Sequence, residues 1–457
     1  MTGVKALSGS DIGPEVIAQL LAKARELGLD PFEMRFEICP AEILYTFGAY
    51  GMPTRFSHWS FGKAWHRIKT EYDYNLSRIY ELVINTDPCY AFLLEGNSPI
   101  QNKLVCAHAL GHSDFFKHNA YFAPTSRRML DTMEAAAGRI CGYEMTYGRE
   151  RVEEFLDAAL ALQEHINPYM YEHREAPAQD GAGPRSRAAG RGTTYDDLWA
   201  LDAQSYGKCE TADVKAPFPP EKDLLLFLIQ HARELDDWQR DILGVIRDEA
   251  RYFWPQMETK IVNEGWATFW HLRILREIDL PESEALEFAR MHADLIQGAK
   301  FKINPYLLGL TLLEDIEKRY GREKLFEIRS TCNDVSFLRN YLTKEIVERL
   351  DLYVYRRVGH EWRVVEKNWE RVRDTLVENL VNCGYPYIVA ADSDHNRRGE
   401  LYLRHLYEGV ELDVLYLEKT LPYVRRIWAR PVHFETVLEE KPVVFSYNGE
   451  RVIRRFI

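Results

Sequence analysis

Apolar residues recur at intervals of three and four along most of the first 350 positions, and the interval shortens toward two over the last hundred. The first pattern predicts amphipathic helices and the second predicts strands. Helices are expected over 11–30, with Pro14 in the first turn and Gly28 near the end, and over 58–80, 126–146, 150–166, 222–245, 246–275, 283–300, 305–321 and 322–330. Leu104, Val105, Ala107, Leu110, Phe115 and Phe116 mark a further helix that carries His108 and His112. From about Asp351, strands are expected at 352–355, 362–365, 387–390, 412–416 and 442–447, with helices at 366–382 and 417–429. The fold class expected is a mostly α-helical N-terminal body with a smaller C-terminal α/β (α+β) domain. A zincin-like helical metal-site core is one form that body can take.

This pattern breaks once. Residues 176–192 are small, polar and rich in glycine and proline, too poor in apolar surface to offset the entropy of ordering. The expected division is a helical domain over 1–172, a flexible insert over 173–220, a second helical domain over 221–348 and the C-terminal domain over 349–457.

Composition narrows the function classes. The 457 residues carry 58 basic and 70 acidic side chains, a net charge of −12 that disfavours wholesale binding to phosphate backbones. No nucleic-acid role is expected. The seven cysteines are odd in number and none forms a Cys-x-x-Cys pair, which argues against a disulfide framework and a thiolate zinc site. No signal peptide or membrane-spanning apolar run is read, so a cytoplasmic location is expected and membrane insertion is not. Phosphate-binding glycine loops and a Gly-x-Ser-x-Gly elbow are missing, so no nucleotide cofactor is expected. A di-iron centre of the bundle type would need two Glu-x-x-His motifs, which the chain lacks.

Two segments carry the candidate chemistry. His108 and His112 are four residues apart, so a helix sets both imidazoles on one face, where they can share a divalent ion. Glu264 and His271 are seven apart on another helix, among Trp266, Ala267, Phe269, Trp270 and Leu272. A carboxylate there needs a partner or a cation; Lys260 or a tyrosine hydroxyl would be the ordinary partner. The alternative is a metal site of His108, His112, Glu264 and His271, suited to Zn, Mn or Fe. With three ligands bound, a position would stay open for water. The metalloprotease pattern places a glutamate after the first histidine, but Ala109 stands there. Asp114 and Glu249 are the candidate catalytic bases. The stretch Phe47 to Gly62, with Arg55 and His58, reads either as the wall of a concave site or as a rigid loop over the core. Asp392 to Tyr402 reads as the end of a strand and the start of a helix.

Several strings resemble one family. Phe47-Gly-Ala-Tyr-Gly-Met-Pro-Thr-Arg-Phe-Ser-His-Trp59, Tyr90-Ala-Phe-Leu-Leu-Glu-Gly-Asn97, His112-Ser-Asp-Phe-Phe-Lys-His-Asn119, Asn263-Glu-Gly-Trp-Ala267 and Ile303-Asn-Pro-Tyr-Leu-Leu-Gly309 are similar to the stage V sporulation protein R (SpoVR) family. The resemblance runs from about residue 10 to the C-terminus outside the insert. It implies a link to spore cortex formation or, in bacteria that do not sporulate, to a stress response. It also implies two partners, a PrkA-type serine protein kinase and a protein with a von Willebrand A-like domain. Two functions follow as expectations. One is a metal-dependent hydrolase in cell-wall metabolism; the other is a non-enzymatic regulator or adaptor in a complex with those partners.

Overall fold

The computed structural model describes residues 12–73, 81–169, 221–298, 302–358 and 361–457. The expected insert over 173–220 lies outside the described residues. The first stretch holds α1 (Pro14–Glu26), β1 (Met34–Cys39), α2 (Ala41–Tyr50), α3 (Trp59–Asp73), β2 (Glu81–Ile84), β3 (Cys89–Leu94), α4 (Pro99–His118), α5 (Met129–Tyr147) and α6 (Arg149–Leu160). Then come α7 (Leu224–His231), α8 (Asp237–Glu258), α9 (Lys260–Arg276), α10 (Glu282–Leu295), α11 (Pro305–Tyr320), α12 (Arg322–Thr331), α13 (Asp334–Tyr341) and α14 (Lys344–Arg349). The chain ends with β4 (Val354–Val358), β5 (Glu361–Glu366), α15 (Trp369–Leu380), β6 (Ile388–His395), β7 (Glu400–His405), α16 (Val414–Trp428), β8 (Val432–Leu438), β9 (Lys441–Tyr447) and β10 (Val452–Phe456).

The architecture is mostly helical with a sheet-rich C-terminal region, an α+β arrangement. Helices α4 and α9 are apolar nearly all round, and a helix of that kind belongs inside a core. From Val105 to Phe116 every residue of α4 is buried. In α9, every residue from Ile261 to Leu272 is buried except Glu264. These two helices pack with α1, α11, α12 and α13 in one hydrophobic cluster. A second cluster joins α5–α8 to α16 and the C-terminal sheet.

A small sheet in the N-terminal body, in the order β1-β3-β2, was not legible as alternation. Its central strand reads Cys-Tyr-Ala-Phe-Leu-Leu and is buried at all but one position, so its apolar run lacks the period of two. The C-terminal sheet runs β10-β9-β8-β7-β6, with β7 and β8 parallel and α16 crossing between them. The strand expected at 412–416 is instead the start of α16. Asp413 caps that helix, accepting from the Leu415 and Tyr416 N–H groups. The helix expected to begin near Asp392 is also absent. The chain turns there through Asn396, Arg397 and Gly399, all at positive φ, and joins β6 to β7 as a hairpin.

The two long helices expected over 222–245 and 246–275 are three. Asp236 caps α8, and the chain kinks at Thr259 before α9 starts. Asp334 covers that start from 73 and 72 residues along the chain: Ile261 and Val262 donate their N–H groups to its carboxyl oxygens at 2.8 and 2.9 Å. Burial pushes Asp334 up to about 7 in spite of those two bonds, which pull the other way. The folded chain therefore holds a proton on Asp334 that the unfolded chain releases above its ordinary value of 3.8. That contribution to stability is complete below about pH 4 and lost as pH rises through about 7. Asp334→Asn removes the titration and keeps an acceptor. In urea unfolding of metal-free protein, the advantage of wild type over this variant is expected to shrink by about 1 kcal/mol or more across that window. Histidine contributions common to both chains cancel in the difference.

Candidate metal centre

The geometry of the site follows from how α4 and α9 approach each other. Ser98 starts α4 with a reciprocal capping box, its Oγ accepting from the Gln101 N–H and its own N–H donating to Gln101 Oε1. Pro99 follows in the first turn. At the contact, Gly111 of α4 lies on Ala267 of α9 so closely that a Cβ at Gly111 would sit 2.7 Å from the Ala267 Cα. This approach sets the α4 imidazoles over the Glu264 carboxylate.

His108 Nε2 and His112 Nε2 lie 3.6 and 3.4 Å from Glu264 Oε2. One ligand atom from each of these residues falls within 4.8 Å of the other two. Glu264 Oε2 is buried and has no hydrogen-bond partner within normal geometry among the described residues. Metal–ligand bonds of about 2.1 Å at tetrahedral angles put ligand atoms roughly 3.4 Å apart. The His–Glu spacings match such a coordination edge and are long for hydrogen bonds. Burial would raise the Glu264 pKa, but the two imidazoles outweigh it and hold the carboxyl well below its ordinary range. Glu264 is therefore ionised, the form a cation requires. Lys260, the ordinary partner offered by the sequence, does not take this role.

The far sides of both rings are held. His112 Nδ1 lies 2.9 Å from Asn263 Oδ1, so the ring donates from Nδ1 and turns Nε2 toward Glu264. His108 Nδ1 lies 2.9 Å from His271 Nδ1, and His271 Nε2 lies 3.3 Å from His292 Nδ1. When His108 offers its Nε2 lone pair, the proton on its Nδ1 goes to His271, which in turn donates to His292. Burial lowers the pKa of His271 well below its ordinary value, with His108 and His292 adding to the effect. Burial also lowers His292.

The structure thus brings together His108, His112 and Glu264 and sets His271 behind them. Spacing by two helical turns placed His271 on the Glu264 face, but it is fully buried and engages a histidine at each ring nitrogen. Its place is that of an orienting residue. Asn263→Leu should weaken zinc binding about 10- to 100-fold while leaving the saturating stoichiometry intact, as read by competition with a chromophoric chelator. His292 carried no sequence signal, because it stands alone on the half-exposed helix α10.

The two candidate bases part company. Asp114 is fully buried away from the triad. It accepts from Arg329 Nη1 at 2.9 Å, the Trp266 indole at 3.0 Å and the Asp30 N–H at 2.8 Å. Both of its oxygens are committed to tying α4 to α9 and α12, which removes it as a base. Glu249 does share the site, lining with His112 and Glu264 a cavity of about 680 Å³. Burial raises its pKa, and Arg55 only partly offsets this. The other wall is built from Gly48, Ala49, Tyr50, Gly51 and Arg55. Of the two readings of the Phe47–Gly62 stretch, its first half follows the concave-site one.

A buried two-histidine, one-carboxylate cluster opening on a cavity defines the class of protein: a helical chain built around a candidate divalent-metal centre. Comparison with known proteins supplies the family. Residues 14–385 match the family described as SpoVR like protein, and residues 386–439 match the SpoVR-like C-terminal domain. The chain belongs to the SpoVR family. It is 32% identical over 469 residues to a protein of Escherichia coli (strain K12) named "Uncharacterized protein YcgB", covering 93% of this chain and 91% of that one. No solved structure matches it. Among the described residues, no helix is long and apolar enough to cross a membrane.

Proposed function

We propose that this chain is a metal-dependent hydrolase of amide-type bonds, with His108, His112 and Glu264 holding one zinc, manganese or iron ion. The observation that carries this reading is the spacing of the three donor atoms, 3.4 and 3.6 Å from carboxylate to imidazoles, with His112 and Glu264 in the wall of a cavity. A metal held there would acidify a bound water and polarise a carbonyl. The chain's own part is to keep both imidazoles aimed, through Asn263 and His271, and to keep Glu264 ionised. Two ligands from one helix and the third from another is also the plan of zinc peptidases, with Ala109 in place of their glutamate. Glu249 is then the carboxylate that remains to act on whatever occupies the cavity. The family's link to the spore cortex, a peptidoglycan layer, makes a cell-wall amide or peptide the substrate class. Elemental analysis of dialysed protein should find close to one equivalent of zinc, manganese or iron. Trace metal with no uptake on titration would overturn the reading.

A second reading has its own support. The β4–β5 ribbon turns Trp362, Val364 and Val365 to solvent, an arrangement suited to a protein partner. On this reading the chain is a regulator or adaptor for a PrkA-type kinase and a von Willebrand A-like protein. Co-purification from cells holding all three should recover both partners and lose them when Trp362 and Val364 become serine; recovery of neither from wild type would sink it.

A further inference from the structure

The cavity holds a second polar feature, at Glu249, to which the metal reading assigns no bonded partner. Glu249 is 2% exposed and sits on α8 facing Arg55. Arg55 gives Nε and Nη2 to the same carboxylate oxygen, Oε2, at 2.8 and 2.7 Å. Its Nη1 donates to the Tyr50 carbonyl at 3.1 Å, and its guanidinium lies 4.4 Å from the Phe61 ring centre. Each guanidinium nitrogen engages Oε2 or the Tyr50 backbone, and none bonds to Oε1. Glu249 Oε1 is left buried with no hydrogen-bond partner. An orphaned carboxylate oxygen is costly, and nothing among the described residues meets it.

What would meet it is a donor brought by a ligand. The rest of the wall favours a cationic donor. Tyr50, Phe253, Trp254 and Tyr306 line the cavity with aromatic surface, and Glu164 and Glu264 line it with two more carboxylates. Aromatic faces and carboxylates attract ammonium groups. Two cations also line the cavity: Arg55, which is engaged with Glu249, and Lys260, which is exposed.

We propose that Glu249 Oε1 receives the primary ammonium group of a ligand whose oxygen-bearing end lies at His108, His112 and Glu264. The substrate class is an amine-bearing amide or acyl compound, held at both ends of one cavity. Glu249 on this assignment anchors substrate rather than moving a proton to or from the bond that breaks. The proposal rests on the metal reading above.

The test uses full-length, zinc-loaded protein and two matched series of hydroxamic acids. Hydroxamates bind zinc through their oxygens and do not need a base. One series ends in ammonium and the other in methyl, with chains stepped from about two to about six methylenes, lengths a cavity of this volume holds. Affinities are read by calorimetry. For at least one length, the ammonium member should bind about tenfold tighter than its methyl twin. In Glu249→Gln that preference should vanish while the methyl twin binds as before. Methyl members that equal or exceed their ammonium twins at every length in wild type would overturn the anchor and leave the metal site standing. A preference that survives Glu249→Gln would also overturn it. If neither series binds wild type, the metal reading fails and this one with it. The wild-type comparison needs no variant, so a misfolded Glu249→Gln chain does not remove the test.

Discussion

Glu264→Gln protein should fold and come off a column without its metal. The substitution keeps side-chain size and replaces an ionised ligand with a neutral amide. Loss of an orienting residue alone lowers metal affinity 10- to 100-fold, so loss of one of three ligands should exceed about 100-fold. The fold should survive with a modest loss of stability in the metal-free chain, because the two imidazoles that hold the Glu264 carboxyl below its ordinary range lose their acidic partner. His112→Ala makes a useful contrast. It removes a ligand and also leaves a hole beside Phe116, whose ring stacks on His112 with centres 5.9 Å apart. That variant should lose metal and more stability than Glu264→Gln does. Elemental analysis and chelator competition measure the first quantity, and urea unfolding of metal-free protein measures the second. Glu264→Gln protein that binds zinc as wild type does would remove Glu264 from the centre.

Much of this site was legible because its residues are local pairs. Four-residue spacing put His108 and His112 on one face, and an acid among tryptophans and alanines flagged Glu264 as a group in need of a partner. What the chain order does not encode is which helices touch. His271 shares a face with Glu264 along α9, yet a helix face is wide enough to meet two neighbours. His271 sits behind His108, where His292 of α10 also reaches it. Asp114 looked available because it follows the histidine pair closely. Its partners Arg329, Trp266 and Asp30 come from distant parts of the chain, and no local pattern announces them. The fold divides in the same way. Helices α1, α5, α6, α11 and α12, whose apolar stripes are local, stand close to where the pattern put them. The kink at Thr259 depends on Asp334, and β3 is buried on both faces, so neither leaves a local trace.

The same long-range contacts make three glycines the points where fold and site are joined. Helix α9 is gripped from both sides by backbone packing. Against α11, a Cβ on Gly265 would lie 2.5 Å from the Gly309 backbone, and one on Gly309 would overlap the Ile261 carbonyl and the Gly265 Cα. Against α4, Gly111 meets Ala267 in the same way. Backbone atoms cannot step aside as a flexible side chain can, so even a methyl group must push whole helices apart. Gly265→Ala and Gly309→Ala should each destabilise by about 3 kcal/mol or more, at the upper end of overpacking costs. Urea unfolding should show it as a lower midpoint with an unchanged slope. Gly111→Ala acts on the other interface, between the two helices that carry the triad. It should move His108 and His112 away from Glu264 and weaken zinc binding even under conditions where the chain stays folded. A stability loss without a loss of zinc affinity in Gly111→Ala would show that the imidazoles are positioned by something other than this crossing. Gly138→Ala serves as the control, since a Cβ there meets nothing within 4 Å; in the helix interior it should be neutral or stabilising by up to about 1 kcal/mol.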